Sequence, residues 1–218
     1  MKGRKTVKEV SIIGGADGPT SIFLVGKRKK PSLSNQIRMA CYKRKKRRIE
    51  KKIRINPHTL EEVVIYMKNK YSAREISKKS YNYQEQYRCL RESLIVQHKP
   101  ELLGEFLEVK KPKVYNEISL KKFWNRIEQR RKKAESISEK EFPMDFHIYK
   151  IKSAKLGEIH IGIDLIWGVL DCSYSGDQKK MKQLKQIVKD IVRYYGVTEE
   201  DKKNHSKRYE SLVITLCN

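Results

Sequence analysis

The sequence predicts an α+β protein: an N-terminal β-hairpin, a basic helical arm, and a helical region packed on a small antiparallel sheet. Three observations lead there. Turn formers separate two short β-rich runs near residue 15, apolar residues recur at helical spacing between residues 57 and 135, and the period changes to alternation after Pro143. The expected organisation is a hairpin segment over 1–30, an arm over 31–55, and an α+β domain over 56–218.

Residues 6–13 and 21–26 read as strands, with Gly-Gly-Ala-Asp-Gly-Pro-Thr between them. Asp17-Gly18 suits positive φ, and Pro19 stops ladder pairing, so a hairpin is the economical reading. Residues 27–32 resemble a linker, and residues 34–53 a helix with Ser34 as N-cap. Its apolar stripe of Ile37, Cys41, Ile49 and Ile53 is thin, and its like charges three and four apart repel. Such a helix is expected to fold against a partner or to stay frayed. Thr59 and Glu62 then form a capping box before a helix that buries Val63, Val64 and Met67. Further helices are predicted over 82–98, after Pro100, and over 119–135. Residues 146–151, 158–163 and 168–175 form a meander, and Asp177 caps a helix that runs to Tyr194 and is closed by Gly196. Residues 207–217 suit either a helix or a strand.

Charge limits the partners. The chain has 218 residues and a net charge of +24. Residues 1–54 hold 18 Lys/Arg against Glu9, Asp17 and Glu50, so 18 − 3 = +15 of the excess lies in a quarter of the chain. Concentrated positive charge favours a polyanion, either nucleic acid or an anionic membrane surface. The longest run without Asp, Glu, Lys or Arg is nine residues, Gly18 to Gly26, far below the roughly twenty that a membrane helix needs. The apolar stretch behind Lys2, Arg4, Lys5 and Lys8 is cut by Asp17 and Pro19 before it reaches the length of a secretory signal. No transmembrane insertion is expected. Cys41, Cys89, Cys172 and Cys217 lack metal-ligand spacing, so zinc is not expected, and four reduced thiols in the cytoplasm are.

Residues 12–23, Ile-Ile-Gly-Gly-Ala-Asp-Gly-Pro-Thr-Ser-Ile-Phe, resemble a signature segment of the β subunit of sodium-ion-translocating decarboxylases, the pumps that act on oxaloacetate, methylmalonyl-CoA and glutaconyl-CoA. The resemblance implies a carboxy-lyase-coupled ion site, with Asp17 as sodium ligand among Gly14, Gly15, Gly18 and Thr20. A carboxylate flanked by glycines lets backbone carbonyls approach a hard cation. The resemblance covers about a dozen residues; the residues themselves favour a turn aspartate bonded to its own backbone over an ion ligand, and against a third reading, an anion nest, the segment lacks the Gly-Lys-Ser/Thr ending of a P-loop.

Between Lys43 and Arg54 nine of twelve residues are basic: Lys43, Arg44, Lys45, Lys46, Arg47, Arg48, Lys51, Lys52 and Arg54. With Tyr42 alone beside them, they suit contact with a nucleic-acid backbone rather than base stacking. In the meander, a hairpin turn near 154–156 would set His147 opposite Asp164 and near Cys172, and Asp145, His160 and Asp171 could be cast as metal ligands. Ordinary polar residues on a half-buried sheet explain both sets, so no catalytic residue, metal site or cofactor is predicted. The sequence thus favours a non-enzymatic accessory protein that binds a polyanion through residues 43–54. The alternatives are a repurposed decarboxylase β-subunit relative, with sodium at Asp17, and a module that binds a protein partner through residues 1–26.

Overall fold

The computed structural model describes residues 9–15, 18–25, 32–112, 116–153, 157–176 and 180–217. The protein is α+β, with a four-stranded antiparallel sheet in the middle of the chain. It divides into two compact units whose sequences interleave: residues 1–26 with 76–146, and residues 27–75 with 147–218.

In the first unit, β1 (Glu9–Gly15) and β2 (Gly18–Val25) form the expected antiparallel hairpin. Pairing runs from Glu9↔Val25 to Gly15↔Gly18 and shifts register between Ile13 and Gly14. The unit's helices are α3 (Tyr81–His98) and α4 (Glu117–Ser136), with a 3₁₀ stretch at Pro100–Phe106 between them. Two buried charges join α3 to α4. The Arg91 guanidinium donates to the carbonyls of Ala134 at 3.2 Å, Ile137 at 2.7 Å and Phe142 at 2.9 Å, which gathers the end of α4 and the loop after it. Glu92 pairs with Arg130 at 2.6 Å and with Arg131 at 3.4 Å. A buried charge is tolerable only with partners of this kind.

The second unit holds α1 (Leu33–Lys52), α2 (Leu60–Tyr71), β3 (Arg74–Glu75), β4 (Phe146–Ser153), β5 (Gly157–Asp164), β6 (Val169–Ser175), α5 (Met181–Tyr195), α6 (Glu199–Asn204) and α7 (Lys207–Cys217). Strand order is β3-β4-β5-β6. The meander is as expected, but β3 adds a fourth strand, pairing Arg74 with Lys150 and Glu75 with Tyr149. Two residues are too few to show an alternating pattern. Ile159, Ile161 and Ile163 are fully buried on one face, in a core shared with Val63 and Met67 of α2, Leu184, Val188 and Ile191 of α5, and Leu212 and Val213 of α7.

Local chemistry sets the helix ends. The Thr59–Glu62 capping box forms as expected. The N-cap of α1 is Ser32 rather than Ser34, its hydroxyl accepting from Asn35 N at 3.3 Å. Helix α5 starts at Met181, and Asp177, the expected cap, lies outside the described residues. Gly196 ends α5 at φ +60°, where a Cβ would fall 2.0 Å from Asn56 O, so only glycine fits. Residues 207–217 resolve to a helix.

Asp190 fastens α2 to α5. Its carboxylate accepts from Tyr66 Oη at 2.5 Å, Tyr71 Oη at 2.6 Å and Lys70 Nζ at 2.8 Å, beneath Tyr66 stacked on Tyr194. Burial opposes its charge, but the bonds from Lys70, Tyr66 and Tyr71 outweigh burial and hold its carboxyl below the usual range. A depressed folded pKa stabilises above the unfolded value, about 3.9, and that contribution is lost as pH falls through the folded pKa. Replacing Asp190 by Asn is therefore expected to cost about 1–2 kcal/mol at pH 7, discounted for its partial exposure. Urea unfolding at a series of pH values should show the gap to wild type closing below about pH 4. A gap that stays constant down to pH 2 would rule out the charged clamp.

Candidate functional site

Helix α1 carries the basic residues singled out in the sequence, and one end of it is built into the second unit. Ile53 is buried in the core and Ile49 packs against it. Four residues before Ile49, Lys45 donates from Nζ to the carbonyl of Cys217 in the last turn of α7. An ammonium there satisfies an orphan carbonyl and complements the negative end of the helix dipole. Residues 32–48, by contrast, are exposed throughout, with Leu33 at 77% and Ile37 at 63%. About 24 Å of helix, at 1.5 Å per residue over residues 33–48, therefore lies on the surface. The sequence suggested a helix in need of a partner, and part of that partner is internal: α7 takes its C-terminal end.

Helical geometry sorts the nine cations. Positions 45, 49 and 53 face α7 and the core, so Lys45 is engaged within the protein. Lys46 sits 3.7 Å from Glu50, the i,i+4 partner on its own helix. Lys43, Arg44, Arg47, Arg48 and Lys51 fall three and four apart on the side away from Ile49, and among the described residues none of these five forms an ion pair. Lys52 and Arg54 are exposed beside the docked end. The free face thus repels itself, and a bound polyanion would relieve that repulsion.

The other predicted residues separate. Gly14 and Gly15 end β1, and Gly18 and Thr20 belong to β2, with Gly14↔Pro19 and Gly15↔Gly18 as backbone partners. Asp17 lies outside the described residues. Among the described residues no helix is long and apolar enough to cross a membrane.

In the sheet, the turn at 154–156 lies outside the described residues, but the proposed trio can still be placed. His147 Nδ1 is 2.7 Å from a Glu75 carboxylate oxygen on β3. Asp164 is buried, and its Oδ1 accepts from Trp167 N at 2.8 Å, the hydrogen bond of a turn aspartate. Cys172 pairs with Ile161, whereas Asp164 pairs with Val169, so strand alternation puts Cys172 and Asp164 on opposite faces. Burial, followed by the charge of Asp171, pushes the Cys172 thiol up to about 12, and burial, followed by Asp190, pushes Tyr71 up to about 12. Groups held protonated in this way are poor nucleophiles at neutral pH. All four cysteines are free thiols. Asp145, His160 and Asp171 do not converge, and no group of three or more His, Cys, Asp or Glu that could hold a metal occurs among the described residues.

One set of residues was not singled out from the sequence: the cations of α5, Lys185, Lys189 and Arg193. Their spacing was visible, but that α1 and α7 would end beside them was not.

The division of α1 into an anchored end and a free end can be tested by its apolar residues. Ile53→Ala is expected to destabilise the protein by about 2–4 kcal/mol, the cost of a core cavity. Ile37→Ala, on the exposed part, should change stability by less than about 0.5 kcal/mol. Equal effects in urea denaturation would contradict this arrangement.

No protein-family model matches the chain, and neither a curated protein nor a solved structure matches it.

Proposed function

We propose that this is a non-enzymatic accessory protein of the cytoplasm that binds nucleic acid through its phosphate backbone, with α1 as the contact element. The observation that supports it most directly is the free face of α1, where Lys43, Arg44, Arg47, Arg48 and Lys51 stand without an acidic partner among the described residues, on the side of the helix opposite the one that Lys45, Ile49 and Ile53 anchor. Phosphate oxygens are the ligand that such a face lacks, and neutralising them releases condensed counterions, which drives binding at low salt. An α-helix about 10–12 Å across is also of a width that the major groove of duplex DNA admits.

A lipid surface is the less suitable polyanion. A helix lying in a membrane interface needs a continuous apolar face opposite its cations. Here the stripe of Leu33, Ile37 and Cys41 runs on at helical spacing into Arg44 and Arg48, and Met39 points to another side. Aromatic residues for base stacking are likewise scarce along α1, with Tyr42 alone, so the expected recognition follows charge and shape more than base sequence.

Binding of the full chain to duplex DNA and duplex RNA should weaken steeply with salt. Five phosphate contacts predict a slope of log K against log salt of about −4 to −5. Replacing Lys43, Arg44, Arg47, Arg48 and Lys51 together by Gln should remove most of that slope while leaving the folded state intact. Salt-independent binding, no binding at low salt, or tighter binding to phosphatidylserine vesicles than to either duplex would overturn the proposal.

A further inference from the structure

The flank of α5 turned toward α7 carries a second row of cations. Lys182, Lys185, Lys189 and Arg193 follow one another at intervals of three, four and four residues, so they share one side of the helix, away from the buried Ile191 and with Lys185 and Lys189 bordering the buried Val188 and Val192. Lys185 and Lys189 line an open groove of about 290 Å³ between β6, α5 and α7. Tyr174 lies on the β6 wall, and Ser211 and Thr215, one helical turn apart, form the α7 wall. Asp171 is the carboxylate at its edge, outnumbered by the cations.

The groove leads toward α1. Thr215 stands two residues before Cys217, whose carbonyl receives Lys45 from α1. The four cations Lys45, Lys185, Lys189 and Arg193 form one electrostatic cluster: burial, and then the charges of Lys45, Arg193 and Lys185, hold the Lys189 ammonium below its usual range. Among the described residues none of the four forms an ion pair. Cations gathered from two helices that outnumber the nearby carboxylate of Asp171 make a field that concentrates anions.

We propose that this groove, together with the exposed Arg193 one helical turn beyond Lys189, is the second half of the nucleic-acid site: Lys185, Lys189 and Arg193 contact phosphodiester oxygens of the same nucleic acid that α1 engages, and the hydroxyls of Ser211 and Thr215 donate hydrogen bonds to them. The proposal rests on the reading of α1 above and extends it from one exposed helix to a composite surface. Cations four residues apart on α5 are about 6 Å apart along its axis, close to the axial rise of about 7 Å between alternate phosphates of one strand. Hydroxyl side chains are common donors to phosphate, and they fix register without reading sequence. The α5–α7 groove belongs to the packed core of the unit, so it orients the nucleic acid in a way that an exposed helix alone cannot.

The test measures the salt dependence of duplex binding by the full-length protein in three forms: wild type, Lys185→Gln/Lys189→Gln/Arg193→Gln, and a charge-matched control, Lys121→Gln/Lys122→Gln/Lys132→Gln on α4. Each lost phosphate contact lowers the slope by about 1, so the α5 variant should lose about 2 to 3 and bind at least tenfold more weakly at moderate salt. The control should keep the wild-type slope. Ser211→Ala/Thr215→Ala should weaken binding with no change of slope, because hydroxyls release no counterion. If wild type binds with a steep slope and the α5 variant matches it, the groove is not part of the site, while the reading of α1 stands. An equal fall in slope for the control would reduce the effect to net charge and overturn the groove as well. If wild type shows no salt-dependent binding, the reading of α1 fails and this proposal fails with it. Unchanged thermal unfolding of the variants separates lost contacts from lost structure.

Discussion

Ile159, Ile161 and Ile163 alternate with His160, Gly162 and Asp164 along β5, and the isoleucine side chains make one face of a narrow sheet that water would penalise at every second position. Covering that face organises the second unit. Helix α5 lays Leu184, Val188 and Ile191 across it, α2 and α7 close the sides, and Ile53 extends the same core to the end of α1. The polar clamps serve this packing. Asp190 fixes α2 against α5, and Arg208 donates to the carbonyls of Gly196 at 2.8 Å and His58 at 3.0 Å, which ties the start of α7 to the end of α5. With the apolar face covered, these bonds have partners at fixed positions. Without it they would be surface contacts of little value.

The charge distribution follows from the same packing. A helix with eight basic residues in its last ten positions gains little from its own sequence there, because Lys43/Arg47, Arg44/Arg48, Arg47/Lys51 and Arg48/Lys52 are all like-charged i,i+4 pairs. Attaching it through Ile49, Ile53 and Lys45 offsets that repulsion from one face and leaves the opposite face exposed. The two sides of one helix thus differ: the side that faces α7 holds the arm in place, and the opposite side carries cations with no ion pair among the described residues.

How much could be read from the sequence depended on how far apart the interacting residues lie. The capping box at Thr59 and Glu62 spans three residues and was read directly, as were Gly196 and the alternation of β5. Ser34 competed with Ser32 for the cap of α1, and a two-residue shift of that kind is within what local chemistry can separate. Strand β3 was missed because it exists only through its pairing with β4, some 75 residues later. The buried Arg91 reads in sequence as one more surface cation, and its role depends on carbonyls from Ala134 to Phe142. For the candidate site, the basic run itself was plain in the sequence. Which of its members are occupied, and which cations of α5 stand near them, depended on α7 ending beside Lys45.

The contact between Lys45 and Cys217 joins positions 172 residues apart. In equilibrium terms such separation is cheap, because closure entropy grows only with the logarithm of the intervening length. In kinetic terms it is not, since distant pairings delay the step that secures them. The helical segment 76–146 contains its own short-range partners and can acquire structure while the two halves that flank it are still searching for each other. The seat of Lys45 on the last turn of α7 cannot exist before residue 217 has joined the chain and α7 has formed, so the anchored face of the basic helix is completed only by the far end of the sequence.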